Sequence, residues 1–191
     1  MHHTHPELRR KNATYYFDTA EKRGALYREA RSWIGTPFRE VYHDFATDVK
    51  GVNGGIDCVG LVQEIMRRVG AVEKFVFARE ASDYQSHRLD EKVLDFLRGK
   101  VDDPESVRLG AIFEELSIPN QVIDPNAETP RDFFKAGDIC VLKHGSLFHL
   151  PIIYDDDLHF VNALPRLGVI EGTIQDSTFS SHLVAVFRLK G

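Results

Sequence analysis

The chain has 191 residues, of which 42% are hydrophobic and 10% aromatic, and its formal net charge is −5. This size and composition fit one globular domain with a substantial core. The acidic balance, without a clustered basic face, argues against nucleic-acid binding. No apolar run approaches the roughly 20 residues of a membrane span. The N-terminus lacks the apolar core of a secretory signal, so we expect synthesis in the cytoplasm.

Two amphipathic helices are predicted in the first third of the chain. The first covers residues 19–34, whose apolar side chains form one stripe, and it ends at Gly35. The second begins at Cys58, with Asp57 as its N-cap, and stops at Gly70.

The middle of the chain is interpreted as an insertion. Residues 71–135 contain two helical patterns, at 90–97 and 104–116, followed by three prolines. We predict an inserted helical segment within a single domain that covers residues 1–191.

The last third of the chain consists of short apolar runs separated by Gly, Asp and Ser, which is typical of an antiparallel sheet. Five strands are predicted, at residues 139–142, 149–154, 158–163, 168–174 and 183–189. Pro151 cannot donate a ladder hydrogen bond, which predicts an edge position or a distortion for the second strand. The pattern predicts an α+β fold, with N-terminal helices packed on a C-terminal antiparallel sheet of about five strands.

Cys58 is the residue that points most strongly to chemistry. A helix N-terminus carries partial positive charge and unpaired N–H groups. A thiol at this position is therefore expected to favour the nucleophilic thiolate. Cys140 lies inside an apolar strand and is expected to be a buried small side chain. Two cysteines do not indicate a disulfide framework, and no Cys/His spacing predicts a zinc site.

His149 and Asn162 are the candidate partners of the thiol, because a nucleophilic cysteine needs a base and the base needs an orienting group. A two-residue loop between their strands would place them directly opposite each other. A four-residue loop would make them diagonal neighbours on one face, and a regular three-residue loop would separate them unless a bulge intervenes. His159, three positions before Asn162, is expected to face the other side of its strand.

These residues predict acyl chemistry. Cys58 would attack an acyl carbon, while His149 either takes the thiol proton or holds an ion pair with the thiolate and then protonates the leaving amine. Asn162 would orient the imidazole. The backbone N–H of Cys58 is a candidate oxyanion donor.

Residues 30–70 and 136–163 resemble the NlpC-type cysteine peptidases, bacterial papain-like enzymes that cut peptidoglycan stem peptides. The matching motifs are Gly35-Thr36-Pro37-Phe38, Gly54-Gly55, Asp57-Cys58-Val59-Gly60-Leu61-Val62, Gly137-Asp138, His149 and Asn162. The family has tyrosine where this chain has Phe38 and serine where it has Val59.

The resemblance implies a papain-like fold that cleaves an amide bond next to D-glutamate or diaminopimelate. The implied catalytic residues are Cys58, His149 and Asn162. The implied substrate-binding residues are Phe38, Asp57 and Val59. No cofactor or metal is implied.

The stretch Lys50-Gly51-Val52 and the single-domain size resemble most closely the phage-tail-associated branch of this family. The implied partners are a peptidoglycan peptide and a phage tail or other delivery protein, with action at the cell envelope after delivery. Two alternatives stay open. One is a catalytically silent tail-assembly or wall-binding module of the same fold. The other is a thiol acyltransferase or deamidase.

Overall fold

The computed structural model describes residues 14–39, 49–73, 92–123 and 132–191. The elements within these ranges are a 3-10 turn (Tyr16–Asp18), α1 (Ala20–Arg31), α2 (Cys58–Arg68), α3 (Lys92–Leu97), α4 (Pro104–Ile112), β1 (Phe113–Glu115), α5 (Asn120–Ile123), β2 (Ile139–His144), β3 (Leu147–His149), β4 (Ile152–Ile153), β5 (His159–Leu164), β6 (Gly168–Thr173), α6 (Ser177–His182) and β7 (Leu183–Leu189). None of the helices in these ranges is long and apolar enough to cross a bilayer.

The first two helices form close to their predicted positions. Thr19 caps α1 by accepting a hydrogen bond from the Lys22 amide. The helix ends at Arg31, earlier than predicted, and the chain turns through Gly35, whose φ of +85° suits glycine. The predicted start of α2 at Cys58 is confirmed.

The strands form one antiparallel sheet in the order β1-β7-β2-β4-β5-β6, and β3 also pairs with β2. β3 and β4 keep one register against β2, because Leu142 lies opposite His149 and Ile139 lies opposite Ile152. Pro151 lies in the chain between β3 and β4, and it lacks an amide proton for the ladder. The predicted second strand is therefore distorted, and it lies between β2 and β5 rather than at an edge.

The predicted α+β fold, with helices packed on an antiparallel sheet, is confirmed. In the described ranges the sheet has seven strands instead of about five, because the second predicted strand is split and because β1 joins the sheet.

The middle of the chain contributes directly to this sheet. Residues 104–116 were predicted to be one helix, but α4 ends at Ile112 and Phe113–Glu115 form β1. Phe113 pairs with Leu189 of β7 and is 3% exposed in the main core. Pairing with a distant strand thus overrides the local helical pattern. That residues 71–135 are an insertion stays a prediction, and residues 74–91 and 124–131 lie outside the described ranges.

The core is divided between two hydrophobic clusters. Leu150, Ile152 and Val161 belong to the larger cluster, which also contains the buried faces of α1 and α2. Ile153 and Phe160 belong to the second cluster, which includes Phe179 of α6. Alternate residues of the central strands therefore enter different clusters, as the two-residue period of a strand requires.

The Gly137-Asp138 motif has a structural role at the start of β2. Gly137 has a φ of +95°, and a Cβ there would lie 2.1 Å from the ring of Phe17. The fully buried carboxylate of Asp138 accepts two hydrogen bonds from the guanidinium of Arg188, each 2.7 Å long, and one from the amide of Lys135. This bidentate pair joins β2 to β7.

Candidate active site

The loop before α2 is held by backbone hydrogen bonds that fix the start of the helix. The amide of Ile56 donates to the carbonyl of Pro37, and the amide of Arg39 donates to the carbonyl of Ile56. This parallel bridge places Phe38 beside Ile56. Gly54 is required in the loop, because a Cβ there would lie 1.5 Å from a backbone oxygen.

Asp57 and Cys58 form the first turn of α2. The Asp57 carboxylate accepts a hydrogen bond from the amide of Gly60 at 2.7 Å, which confirms it as the N-cap. Cys58 follows as the first helical residue, and its side chain is a free thiol that is 5% exposed.

The thiol of Cys58 is protonated in the resting site. Burial and, to a lesser extent, the carboxylate of Asp57 raise the pKa of the thiol to about 12. The amides of Leu150, Cys58 and Val59 face the sulfur and lower the pKa, but they do not offset burial. The expectation that the helix N-terminus alone yields a thiolate is therefore corrected, because desolvation disfavours the charged form more strongly than the helix amides favour it.

The backbone next to His149 lies near the Cys58 thiol. His149 ends β3, and the amide of the next residue, Leu150, faces the sulfur of Cys58. The strand end that carries the imidazole and the helix start that carries the thiol are therefore adjacent. Burial lowers the pKa of His149, and His144 lowers it further. The two shifts favour the neutral forms of the thiol and of the imidazole.

The length of the loop between β4 and β5 determines the relative positions of His149 and Asn162 in the sheet. Tyr154 donates a backbone hydrogen bond to His159 at 2.9 Å, so the loop has four residues. Continuing the β4–β5 register, in which Ile152 lies opposite Val161, places Asn162 opposite residue 151. His149 and Asn162 are therefore diagonal neighbours on one face, which is the four-residue alternative considered above.

The hydrogen bonds expected of a resting triad are not formed. Among the described residues, Nδ1 of His149 and Oδ1 of Asn162 are buried without a hydrogen-bond partner. Asn162 is 3% exposed. Buried polar atoms are normally paired, and exceptions often occur at sites that bind or react. The catalytic roles of His149 and Asn162 remain predictions.

His159 has a different partner. Its Nδ1 lies 2.8 Å from the carboxylate of Asp155, and its ring stacks near that of Tyr154. Its odd spacing from Asn162 places it on the opposite face of β5, as predicted.

The residues predicted to bind substrate differ in exposure. Phe38 is half-buried and packs against the main core. Val59 is 1% exposed, and its side chain is part of that core. Asp57 is buried and committed to the helix cap. Their contact with a substrate remains a prediction.

Two histidines beside His149 were missed as site residues. His144 was not among the predicted site residues, but its ring centroid lies 5.8 Å from that of His149. The ring of His182 stacks on His144 at 3.8 Å. The register of a β2–β3 hairpin is the signal that could have placed His144 near His149. No comparable signal exists for His182, since α6 was not predicted.

A cavity of about 390 Å³ lies elsewhere, at the end of β2 that begins with Ile139. Its lining includes Tyr15, Arg23, Lys135 and Gly137. His149 pairs with the other end of β2, so this cavity is separate from the candidate site. Within the described ranges, no group of three or more His, Cys, Asp or Glu side chains is arranged to hold a metal ion.

Comparisons with known proteins find similar solved structures but no matching family model. No protein-family model and no curated protein matches the chain. The chain is similar to a crystal structure from Staphylococcus aureus described as similar to lipoprotein and of the NLP/P60 family, with 16% identity and a TM-score of 0.49. The match covers 94% of this chain and 44% of the other, so the chain spans less than half the length of that protein.

Proposed function

We propose that the protein is a cysteine hydrolase that cleaves an amide bond in peptidoglycan stem peptides. In this proposal Cys58 is the nucleophile, His149 is the general base and acid, and Asn162 orients the imidazole. The observation that carries the proposal is the contact between the Cys58 sulfur and the Leu150 amide, because it joins the helix start to the strand end that bears His149.

The protonation states favour a general-base mechanism over a preformed ion pair. His149 takes the proton from the Cys58 thiol as the sulfur attacks the carbonyl carbon of the amide, and the carbonyl oxygen becomes an oxyanion. The backbone N–H of Cys58 stabilises this oxyanion. The imidazolium then protonates the leaving amine, and water hydrolyses the thioester to release the acid and regenerate the thiol.

The substrate class rests on the resemblance of the Cys58, Gly137-Asp138 and His149 motifs to NlpC-type peptidases. It implies a papain-like enzyme and a bond next to D-glutamate or diaminopimelate. Phe38 presents an apolar ring where the family has a phenol, which favours an apolar contact with the peptide. A phage or prophage tail, or another delivery protein, would bring the enzyme to the cell envelope after synthesis in the cytoplasm.

The proposal predicts that Cys58→Ala abolishes cleavage of a purified stem peptide, with a loss of at least about 10³-fold in kcat. Cys140→Ala is the matched control, because Cys140 is fully buried in the second core cluster and should affect stability only. Product analysis by mass spectrometry with an added amine distinguishes hydrolysis from acyl transfer. Equal cleavage by the wild type and Cys58→Ala would exclude the thiol mechanism.

A second candidate is a catalytically silent module that binds the cell wall. The raised thiol pKa and the unpaired Nδ1 of His149 favour it, since neither indicates an activated resting site. A wild-type protein that binds peptidoglycan without cleaving stem peptides, and whose binding is unchanged in Cys58→Ala, would support this module.

A further inference from the structure

His144 and His182 form a pair of stacked rings next to His149, here called the histidine stack. The two rings are 3.8 Å apart at their centroids and inclined by 19°. Nδ1 of His182 lies 2.7 Å from the carbonyl oxygen of Thr178, which fixes this ring on α6. Because a carbonyl only accepts, Nδ1 of His182 carries a proton.

His144 connects the stack to the candidate base. Its ring lies edge-on to that of His149, with centroids 5.8 Å apart and an interplanar angle of 67°. The main-chain pairing of β2 with β3 holds both residues on adjacent strand ends. The ring of His149 is therefore packed against the ring of His144 on the side of β2.

The titratable groups that the structure places around His149 are His144 on β2 and, behind it, His182 on α6. The diagonal neighbour of His149 on β5, Asn162, carries no charge.

We propose that the histidine stack positions the imidazole of His149 and extends the hydrolysis into more acidic conditions by opposing a proton on His149. This inference rests on the proposed function. His144 and His182 are positioning residues, because neither needs to contact the substrate.

The physical reason is repulsion between neighbouring imidazolium rings. A positive charge on the His144 ring disfavours protonation of the nearby His149 ring to its charged form. A positive charge on His182 disfavours protonation of His144 in the same way. Burial is the main cause that lowers the pKa values of His149 and His144. The second cause is the adjacent histidine, which is His144 for His149 and His182 for His144. The neutral form of His149, which is the form that accepts the thiol proton, therefore persists to lower pH.

Two substitutions of His144 separate charge from packing. His144→Gln removes both the titratable group and the ring, whereas His144→Phe keeps a ring but removes the charge. His159→Gln is the matched control, because His159 pairs with Asp155 on the other face of β5.

The experiment combines NMR titration of the His149 ring with the pH dependence of kcat on a stem peptide. We expect both His144 variants to raise the pKa of His149, and the acid limb of kcat, by about 0.5–1 unit. His144→Gln should also lower the maximal kcat, and His144→Phe should restore it. His159→Gln should change neither readout.

An unchanged His149 titration in His144→Gln and His144→Phe would overturn the inference. If His144→Gln does not fold, as judged by circular dichroism, His144→Phe provides the same titration test. If the wild type cleaves no peptide, the proposed function fails, but the NMR titration still tests the coupling independently.

Discussion

Cys58 experiences two opposing influences at the scale of single atoms. The amides of the first helical turn and of Leu150 face the sulfur and favour the thiolate, while burial and the Asp57 carboxylate favour the thiol. Burial dominates, because Cys58 is 5% exposed and its thiolate would lose most of the hydration that stabilises its charge. In the proposed mechanism, nucleophilicity then depends on proton transfer to His149 during attack.

The raised pKa predicts how Cys58 reacts with an alkylating agent. Well below a pKa of about 12, the thiolate fraction increases tenfold with each pH unit, so the alkylation rate should rise in proportion between pH 7 and 9. Mass spectrometry of labelled peptides measures this rate. Cys140 should react more slowly, because it is fully buried and its thiol pKa is raised well above the ordinary value. A Cys58 rate that is already constant above pH 7 would contradict the prediction.

Two variants of Asp57 separate its charge from its capping role. Asp57→Asn keeps an oxygen that accepts from the Gly60 amide but removes a charge that raises the thiol pKa, so alkylation of Cys58 should become faster at pH 8. Asp57→Ala also loses the cap and should lower the free energy of unfolding by about 1 kcal/mol.

At the scale of elements, the interrupted central strand explains how the sheet meets α2. The ladder between β4 and β5 begins at Ile152, so the amide of Leu150 lies outside it. This amide faces the Cys58 sulfur instead. The break before Pro151 is thus a feature of the candidate site, since a continued ladder would direct the Leu150 amide toward β5.

The placement of β1 predicts that the middle of the chain is integral to the fold. Phe113→Ala should lower the free energy of unfolding by about 3–5 kcal/mol, because it removes a buried ring from the main core. Val107→Ala is the control, because Val107 on α4 is 58% exposed. This variant should change the free energy of unfolding by less than about 0.5 kcal/mol. Chemical denaturation measures both. A Phe113→Ala protein as stable as the control would indicate a separable segment.

At the scale of the whole molecule, the Asp138–Arg188 pair connects distant parts of the chain. Arg188 on β7 contacts Asp138 before β2 and also donates to the carbonyl of Phe133. Arg188→Ala leaves a buried carboxylate without its partner and should cost about 3–5 kcal/mol. Arg98→Ala breaks the partly exposed pair with Glu115 and should cost less than about 1 kcal/mol. Similar losses in the two variants, measured by urea denaturation, would contradict this difference.

The site was partly predictable because its local signals are strong. An N-cap followed by an apolar stripe located α2 and Cys58, and alternating apolar runs located the strands of His149 and Asn162. The histidine stack was not predictable, because His144 and His182 meet through the packing of α6 on the sheet. The identity of the substrate likewise depends on the resemblance and on experiment.

By itself, the sequence determined the elements whose periodicity and caps act within one or two turns, including the start of α2 and the last strand, β7. The tertiary structure alone decided that Phe113–Glu115 are a strand, that the interrupted strand is central and that the Cys58 thiol is protonated. The physical reason is range: capping and amphipathic patterns are local, whereas strand pairing and desolvation depend on residues that are far apart in the chain.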